Sequence, residues 1–344
     1  AKALRPELPS EVMRCGGCGA KLAADPLRRV LARLPEQRAD HIALGIGDDA
    51  ALIQAQGADI LITMDGFRAM LDDPYLFGRI AAHHSLNDIF AMAAKPTSAL
   101  TFVTLPLMSE ALMEEELFQL LSGVVAVLND HQVPLVGGHT AEGAELSLAL
   151  TVTGTPGSKA ITKSEAQPGD ALLLTKALGT GVVLAAAMQG KAPPQALNDT
   201  MTSMNMSNAR AVDVLLAHHV HALTDITGFG LVGHLAEILR ASAVAVTLDI
   251  NAVPALHGAH HLINLLHSSL QPANEITLSD FQVAPGLTAS APELRLLADP
   301  QTSGGLLACV PQERVESCLR ALTEQGYPAT NIGRITEPGP WVIS

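Results

Sequence analysis

Aromatic residues are scarce in this 344-residue chain: seven Phe, two Tyr and one Trp make up 3% of it, while hydrophobic residues as a whole reach 48%. Its core has to be built from Ala, Leu, Val and Ile, which suits layered helix-and-sheet packing. Four cysteines are too few for a disulfide framework at this length, so a reducing cytoplasm is the expected setting. No apolar run approaches the roughly 18 to 20 residues that cross a bilayer, so no membrane partner is expected. The first 13 residues are polar, with Pro6 and Pro9, and do not read as a secretory leader. Basic clusters are missing as well. Lys and Arg number 21 against 34 Asp and Glu, a formal charge of -13 that argues against a nucleic-acid partner. An acidic surface can serve solubility alone, so motifs must decide whether these acids hold cations. The G-x-x-x-x-G-K-[ST] phosphate loop is also absent, which excludes a P-loop as nucleotide site.

The length suits two domains, each with a core of its own. Residues 26–34 carry helical spacing in Leu27, Val30, Leu31 and Leu34. Residues 50–53 and 60–64 read as short buried strands beside aspartates, Asp48 and Asp49 before the first and Asp65 after the second. A buried helix is expected over 77–94, stopped by Lys95-Pro96 and containing Asp88, then a strand over 100–104 and a helix over 108–129. Residues 134–136 read as a strand leading into a Gly137-Gly138-His139 turn, and 146–152 as a strand with one wet face. The stretch 155–170 holds Pro156, Gly157, Pro168 and Gly169 and reads as the linker. Beyond it, strands are expected over 171–175, 221–224, 244–248, 305–310 and 329–335. Helices are expected over 181–188, 204–217, 229–240 and 311–324.

Several constellations carry possible chemistry. Gly228-Phe229-Gly230-Leu231-Val232-Gly233 fits the dinucleotide fingerprint, but Thr224, Asp225 and Thr227 stand where an apolar strand should run into the turn. The alternative is a tight turn that presents Asp225 to a ligand or metal. Cys15-Gly16-Gly17-Cys18 is half a zinc site or a redox pair, yet Cys309 and Cys318 lack knuckle spacing. Cys18 lies among glycines beside Lys21, whose charge favours thiolate. Asp48, Asp49, Asp65, Asp88 and Asp225 fall in separate elements, and each alone reads as a cap or a surface group. Asp88, inside an apolar helix, needs a partner on burial, and magnesium bridging phosphates is one. His83-His84 cannot chelate one ion together, being about 100° apart on a helix, and one of them is expected to face the core. His139 is placed to touch a ligand or to order its loop. His257, His260 and His261 read as a polar loop.

Taken together, Gly17-Cys18-Gly19-Ala20-Lys21, Gly47-Asp48-Asp49-Ala50-Ala51, Phe77-Gly78-Arg79-Ile80-Ala81-Ala82, Asp88-Ile89-Phe90-Ala91-Met92, Gly137-Gly138-His139, Thr224-Asp225-Ile226-Thr227-Gly228-Phe229-Gly230 and Asp299-Pro300-Gln301-Thr302-Ser303-Gly304-Gly305 resemble the selenophosphate synthetase (selenide, water dikinase) family, from about residue 15 to the C-terminus. The resemblance implies the aminoimidazole ribonucleotide synthetase-like fold, of α/β (α+β) class, with two domains that are each a mixed sheet covered by helices. It implies a flexible catalytic segment over 1–22, an ATP-binding and dimerisation domain over 23–156 and a C-terminal domain over 157–344. The implied reaction turns ATP, selenide and water into selenophosphate, AMP and phosphate, with magnesium, in a homodimer that a selenium-delivery protein could supply. By residue, Cys18 and Lys21 match the catalytic pair, and Asp49, Asp88 and Asp225 the magnesium ligands. Lys21, Asp48, Asp65, Asp88 and the Gly138-His139-Thr140 turn match nucleotide contacts. Whether Cys18 carries selenium, accepts a phosphoryl group or positions substrate stays open. Departures are Ala20, where many members have a second cysteine, His83-His84 in place of a Thr-Asn or similar pair, and Ala93-Ala94 in place of a glycine pair. Related thiamine-monophosphate kinases and hydrogenase-maturation proteins are the nearest alternatives. The Cys-Gly-x-Lys and Asp-Pro-Gln-Thr-Ser-Gly-Gly runs favour selenium, and retention of Cys18, Lys21 and three aspartates speaks against a non-catalytic paralogue.

Overall fold

The computed structural model describes Arg29, Leu31 and residues 41–344 apart from 45–47, 56, 158 and 289. Cys15, Cys18 and Lys21, with the 1–22 segment they belong to, lie outside the described residues. Of the helix expected over 26–34, only Arg29 and Leu31 are described, and both are helical.

Two mixed sheets form the frame. The first, ordered β1-β2-β3-β6-β4-β5, comprises β1 (Ile42–Leu44), β2 (Ala51–Ala55), β3 (Ala58–Arg68), β4 (Ala94–Pro106), β5 (Leu135–Gly143) and β6 (Ser147–Pro156). Its pairings are antiparallel except β4 with β5. Helices α1 (Pro74–Ala91) and α2 (Glu110–Asp130) belong to this half. The second sheet, ordered β10-β13-β9-β12-β7-β11-β8, comprises β7 (Ala171–Leu174), β8 (Ala222–Asp225), β9 (Ala245–Leu248), β10 (Phe281–Val283), β11 (Leu306–Val310), β12 (Thr330–Thr336) and β13 (Trp341–Ile343). With it go α3 (Thr180–Met188), α4 (Pro194–Met204), α5 (Ala209–Ala217), α6 (Gly230–Ser242), α7 (Ala259–Leu265), α8 (Gln271–Asn274), α9 (Pro292–Leu297) and α10 (Val315–Glu324).

Helix α1 is the hinge pin of the architecture. Asp73 caps it, its Oδ1 accepting from Leu76 N at 2.9 Å, and Pro74 takes a first-turn position where its missing N–H costs nothing. Thirteen of its 18 residues are buried, as expected of a helix packed on all sides. Gly78 explains part of this: a Cβ there would stand 2.2 Å from the Leu120 carbonyl oxygen, and one on Gly123 of α2 would stand 2.0 Å from that of Tyr75. The two backbones approach because neither carries a side chain at the crossing. One apolar cluster runs from α1 and the first sheet into Ala171, Leu173, Leu223 and Leu306 of the second, so part of the core is shared by both halves.

Several boundaries differ from the sequence reading. Helix α1 ends before Ala93, whose φ of 52° turns the chain, and Lys95-Pro96 enters β4 instead of stopping the helix. Pro96 sits where the β4–β6 register shifts, a place where a strand tolerates a residue without an N–H. Asp65 lies within β3, not after it, and the Gly137-Gly138-His139 turn is strand β5. The glycine is used for approach, since a Cβ on Gly138 would meet the Thr101 carbonyl oxygen at 2.3 Å. The helix expected over 204–217 is broken between α4 and α5. The break frees the Met206 carbonyl, which together with those of Ser203 and Ser303 accepts from Nζ of the fully buried Lys176 at 2.6 to 3.1 Å. His260 and His261 lie on α7 instead of in a loop. The residues over 311–324 form a 3-10 turn followed by α10. No dinucleotide unit is present at Gly228: β8 lies at the sheet edge, pairs antiparallel with β11, and is not beside β9.

Candidate functional site

Three aspartates from three elements meet where the halves join. Asp49 comes from the bend before β2, Asp88 from the end of α1 and Asp225 from the end of β8. One carboxylate oxygen of each lies within 4.8 Å of the others. Like charges at that range repel by about 3 to 4 kcal/mol per pair at an effective dielectric of about 20, so the arrangement calls for a cation. The fit is supported by an unmet acceptor: Asp49 Oδ2 is buried and has no hydrogen-bond partner among the described residues. An all-carboxylate donor set suits a hard cation such as magnesium better than a soft one.

Neighbouring groups fix these acids. Thr63 Oγ1 donates to Asp88 Oδ2, and Thr224 Oγ1 donates to Asp49 Oδ1 at 3.1 Å. Lys163 Nζ lies 2.7 Å from Asp49 Oδ1 and 2.9 Å from Glu237 Oε2. Burial opposes the Lys163 charge, but Asp49 and Glu237 outweigh it and hold the ammonium above the usual lysine range. Burial likewise opposes the Glu237 charge, and His234 and Lys163 draw that group down to about 2. Asp48 accepts from Asp49 N at 2.9 Å, and burial with the adjacent Asp49 charge raises its pKa.

Strand β3 and helix α1 are joined at two levels, because side chains two apart on a strand share a face, as do those four apart on a helix. Thr63 meets Asp88, and Asp65 meets His84, whose Nε2 lies 3.6 Å from Asp65 Oδ2. Ser303 N donates to His84 Nδ1 at 2.9 Å, which leaves the ring proton on Nε2, facing the carboxylate. Both His83 and His84 are buried, not one alone. Gly138, His139 and Thr140 are exposed on β5, and His139 stacks on Phe102 with centroids 5.8 Å apart, on the uncovered face of the sheet. The structure thus brings Asp48, Asp49, Asp88 and Asp225 together, with Asp65 tucked beneath α1 and His139 on the far face.

The Asp299 to Gly305 run is a joint. Gln301 Oε1 accepts from Gly179 N, Thr180 N and Thr180 Oγ1 at 2.9 to 3.1 Å, and Asp299 Oδ2 accepts from Val182 N at 3.2 Å, satisfying the free N–H groups at the start of α3. Burial pushes the Asp299 carboxyl up to about 6. Sequence reasoning missed Lys163, Glu237, Thr63 and the His84 contact. Lys163 lies in the polar stretch read as a linker, where no periodicity marks it, whereas Thr224 was within reach as the immediate neighbour of Asp225.

The sequence matches the N-terminal domain model of AIR synthase related proteins over residues 47–155 and the C-terminal domain model over 167–341. Similar curated relatives include the selenide, water dikinase of Carboxydothermus hydrogenoformans, 37% identical over 333 residues, covering 95% of each chain. That of Myxococcus xanthus is 34% identical over 355 residues, covering 97% of this chain and 96% of the relative. The chain belongs to the selenide, water dikinase family. Its fold is also that of a solved structure described as AaThiL complexed with AMPPCP and TMP, with a TM-score of 0.66 over 93% of this chain and 91% of that one. At 18% identity this likeness speaks to the fold alone. As a family member with two mixed sheets and the three-aspartate cluster in place, the chain is a kinase-class enzyme of selenium metabolism.

Proposed function

We propose that the protein makes selenophosphate, AMP and phosphate from ATP, selenide and water at the junction of its two halves, supplying activated selenium for selenocysteine and selenouridine. The observation that carries the site is the convergence of Asp49, Asp88 and Asp225 within 4.8 Å in a chain of this family. In this reading those three hold magnesium, which when bound screens the phosphate oxygens and stabilises charge on the transferring group. In this reading Asp88 also faces the nucleotide, with Asp48, Asp65 and Lys21, while Gly138, His139 and Thr140, on the opposite face of the first sheet from the cluster, serve the nucleotide of the other protomer of the homodimer. Lys21 steadies the developing phosphoryl charge, and Cys18 takes part at the selenium. The division of the chain falls at 156/157, behind a catalytic segment over 1–22. The protein works in the cytoplasm as a homodimer, receiving selenide free or from a delivery protein. No helix among the described residues is long and apolar enough to cross a membrane.

Anaerobic chromatography of the nucleotides tests this. ATP should disappear with AMP appearing in equal amount, only with selenide and magnesium present, and Asp225→Asn should lower the rate on the order of a hundredfold or more. ADP as the lasting product would contradict the reading.

A further inference from the structure

The aspartate cluster carries a protein cation of its own. Lys163 lies on the 3-10 turn Lys163–Glu165 between the two sheets, with its side chain 6% exposed. Its backbone is tied on both sides, the N–H donating to Asp48 Oδ2 at 3.4 Å and the carbonyl accepting from Ser242 Oγ of α6 at 2.9 Å. Its Nζ bridges Asp49 Oδ1 at 2.7 Å and Glu237 Oε2 at 2.9 Å. Glu237 Oε2 also lies 3.5 Å from His234 Nδ1, a contact without a hydrogen bond. Thr227 N meets His234 Nε2 at 3.2 Å, which places the ring proton on Nδ1, toward the carboxylate. A chain of contacts therefore runs from the loop before α6, through His234, Glu237 and Lys163, to one ligand of the cluster.

A lysine on a metal ligand has two opposite consequences. It competes with the metal for the carboxylate, or it orients the carboxylate and leaves one oxygen for the metal. The allocation of oxygens separates them. Lys163 Nζ and Thr224 Oγ1 both take Oδ1 of Asp49, while Oδ2 stays buried without a partner. A cation that takes Oδ2 leaves both donors in place, and rotating the carboxylate away from Lys163 and Thr224 would break both bonds at once. Glu237 already answers the Lys163 charge, so the lysine does not cancel the field that draws a cation.

We infer that Lys163 is a positioning residue of the metal site: it holds Asp49 with Oδ2 free for the cation, and Glu237 holds Lys163. The inference rests on the metal reading given above. Because Lys163 and Glu237 follow the first sheet in the chain and Asp49 precedes most of it, the same contact sets one half against the other. Metal affinity and the fit of the halves are then coupled through one side chain.

The test is Mn2+ binding to the full chain without nucleotide, followed by electron paramagnetic resonance, beside the thermal unfolding of the metal-free protein. Lys163→Met should weaken Mn2+ binding by about 10- to 100-fold, the range for lost support of a metal ligand. Lys163→Arg should recover most of the affinity, and Glu237→Gln should fall between. Equal or tighter binding in a folded Lys163→Met protein overturns the inference, since a competitor would behave that way. Should Lys163→Met not fold, Glu237→Gln decides, and unchanged affinity there overturns it. Failure of the metal reading itself looks different: the wild type would take up no Mn2+, or Asp225→Asn would take up as much.

Discussion

The least comfortable residue in the structure is His83. It is 4% exposed, and neither ring nitrogen has a partner among the described residues. Burial, with the charges of Lys176, His131 and Arg79 adding to it, lowers the ring from 6.5 to about 3. Between those values the unfolded chain holds a proton that the folded chain refuses, so stability is present above 6.5 and is lost as pH falls toward 3. The loss amounts to about 1.4 kcal/mol per pH unit. His83→Leu, of similar volume, should be about 1 to 2 kcal/mol more stable than wild type at pH 7 because it buries no unmet polar group. It should also escape about 1.5 to 2 kcal/mol of the wild-type loss between pH 6.5 and 5. Asp299, raised to about 6, acts in the opposite sense, its contribution being lost as pH rises through 6, and it cancels in the comparison. Urea unfolding at each pH measures the difference, and parallel pH profiles for the two proteins would refute the assignment. The sequence marked His83-His84 as a departure from its relatives. It did not reveal that His84 would find Asp65 and Ser303 while its neighbour found no hydrogen-bond partner among the described residues, because those partners are distant in the chain.

Elements were legible where the pattern was local. The buried helix with Asp88 inside it, the long helix after residue 108, the strand after Asp49 and the strand before Asp225 follow from apolar spacing and from proline and aspartate punctuation. What local pattern missed are features set by contact. Gly137-Gly138 reads as a turn but serves the close approach of β5 to β4. The stretch 205–208 reads as helix but is opened to give the Met206 carbonyl to Lys176 and its Asn208 amide to Asn87 and Gly304. The crossing of α1 and α2 makes the point quantitatively. In an isolated helix, Gly→Ala stabilises by about 1 kcal/mol. At Gly78 the new methyl would lie 2.2 Å from a backbone oxygen, so the helices must part. Gly78→Ala should therefore cost about 1 to 3 kcal/mol net, read as a lowered midpoint in urea unfolding, and a stabilised variant would contradict the close crossing.

For the whole molecule, the sheet of the first half has one uncovered face. Met64 and Leu100 flank Thr151 across the strands, Phe102 follows two residues on, and all three are at least 40% exposed, as is Val136 on β5. Aliphatic and aromatic surface of this kind supports the proposed homodimer, with the two first sheets facing each other. Phe102→Glu should shift the sedimentation coefficient to that of a monomer, and an unchanged dimer would place the interface elsewhere. The aspartate cluster ties both halves into a single site: Asp49 and Asp88 come from the first, Asp225 from the second, and Lys163 from the segment between. Taken one by one these acids read as caps or surface groups, and it was the family resemblance that grouped Asp49, Asp88 and Asp225 as one ligand set. Their convergence is a property of the assembled fold, and a chemical product tests it most directly. Phosphorus NMR of the protein with ATP, magnesium and anaerobic selenide should show a new selenium-bonded phosphorus resonance growing with AMP, absent in Asp49→Asn and Asp225→Asn. AMP or ADP formed without any selenium–phosphorus product would contradict the account.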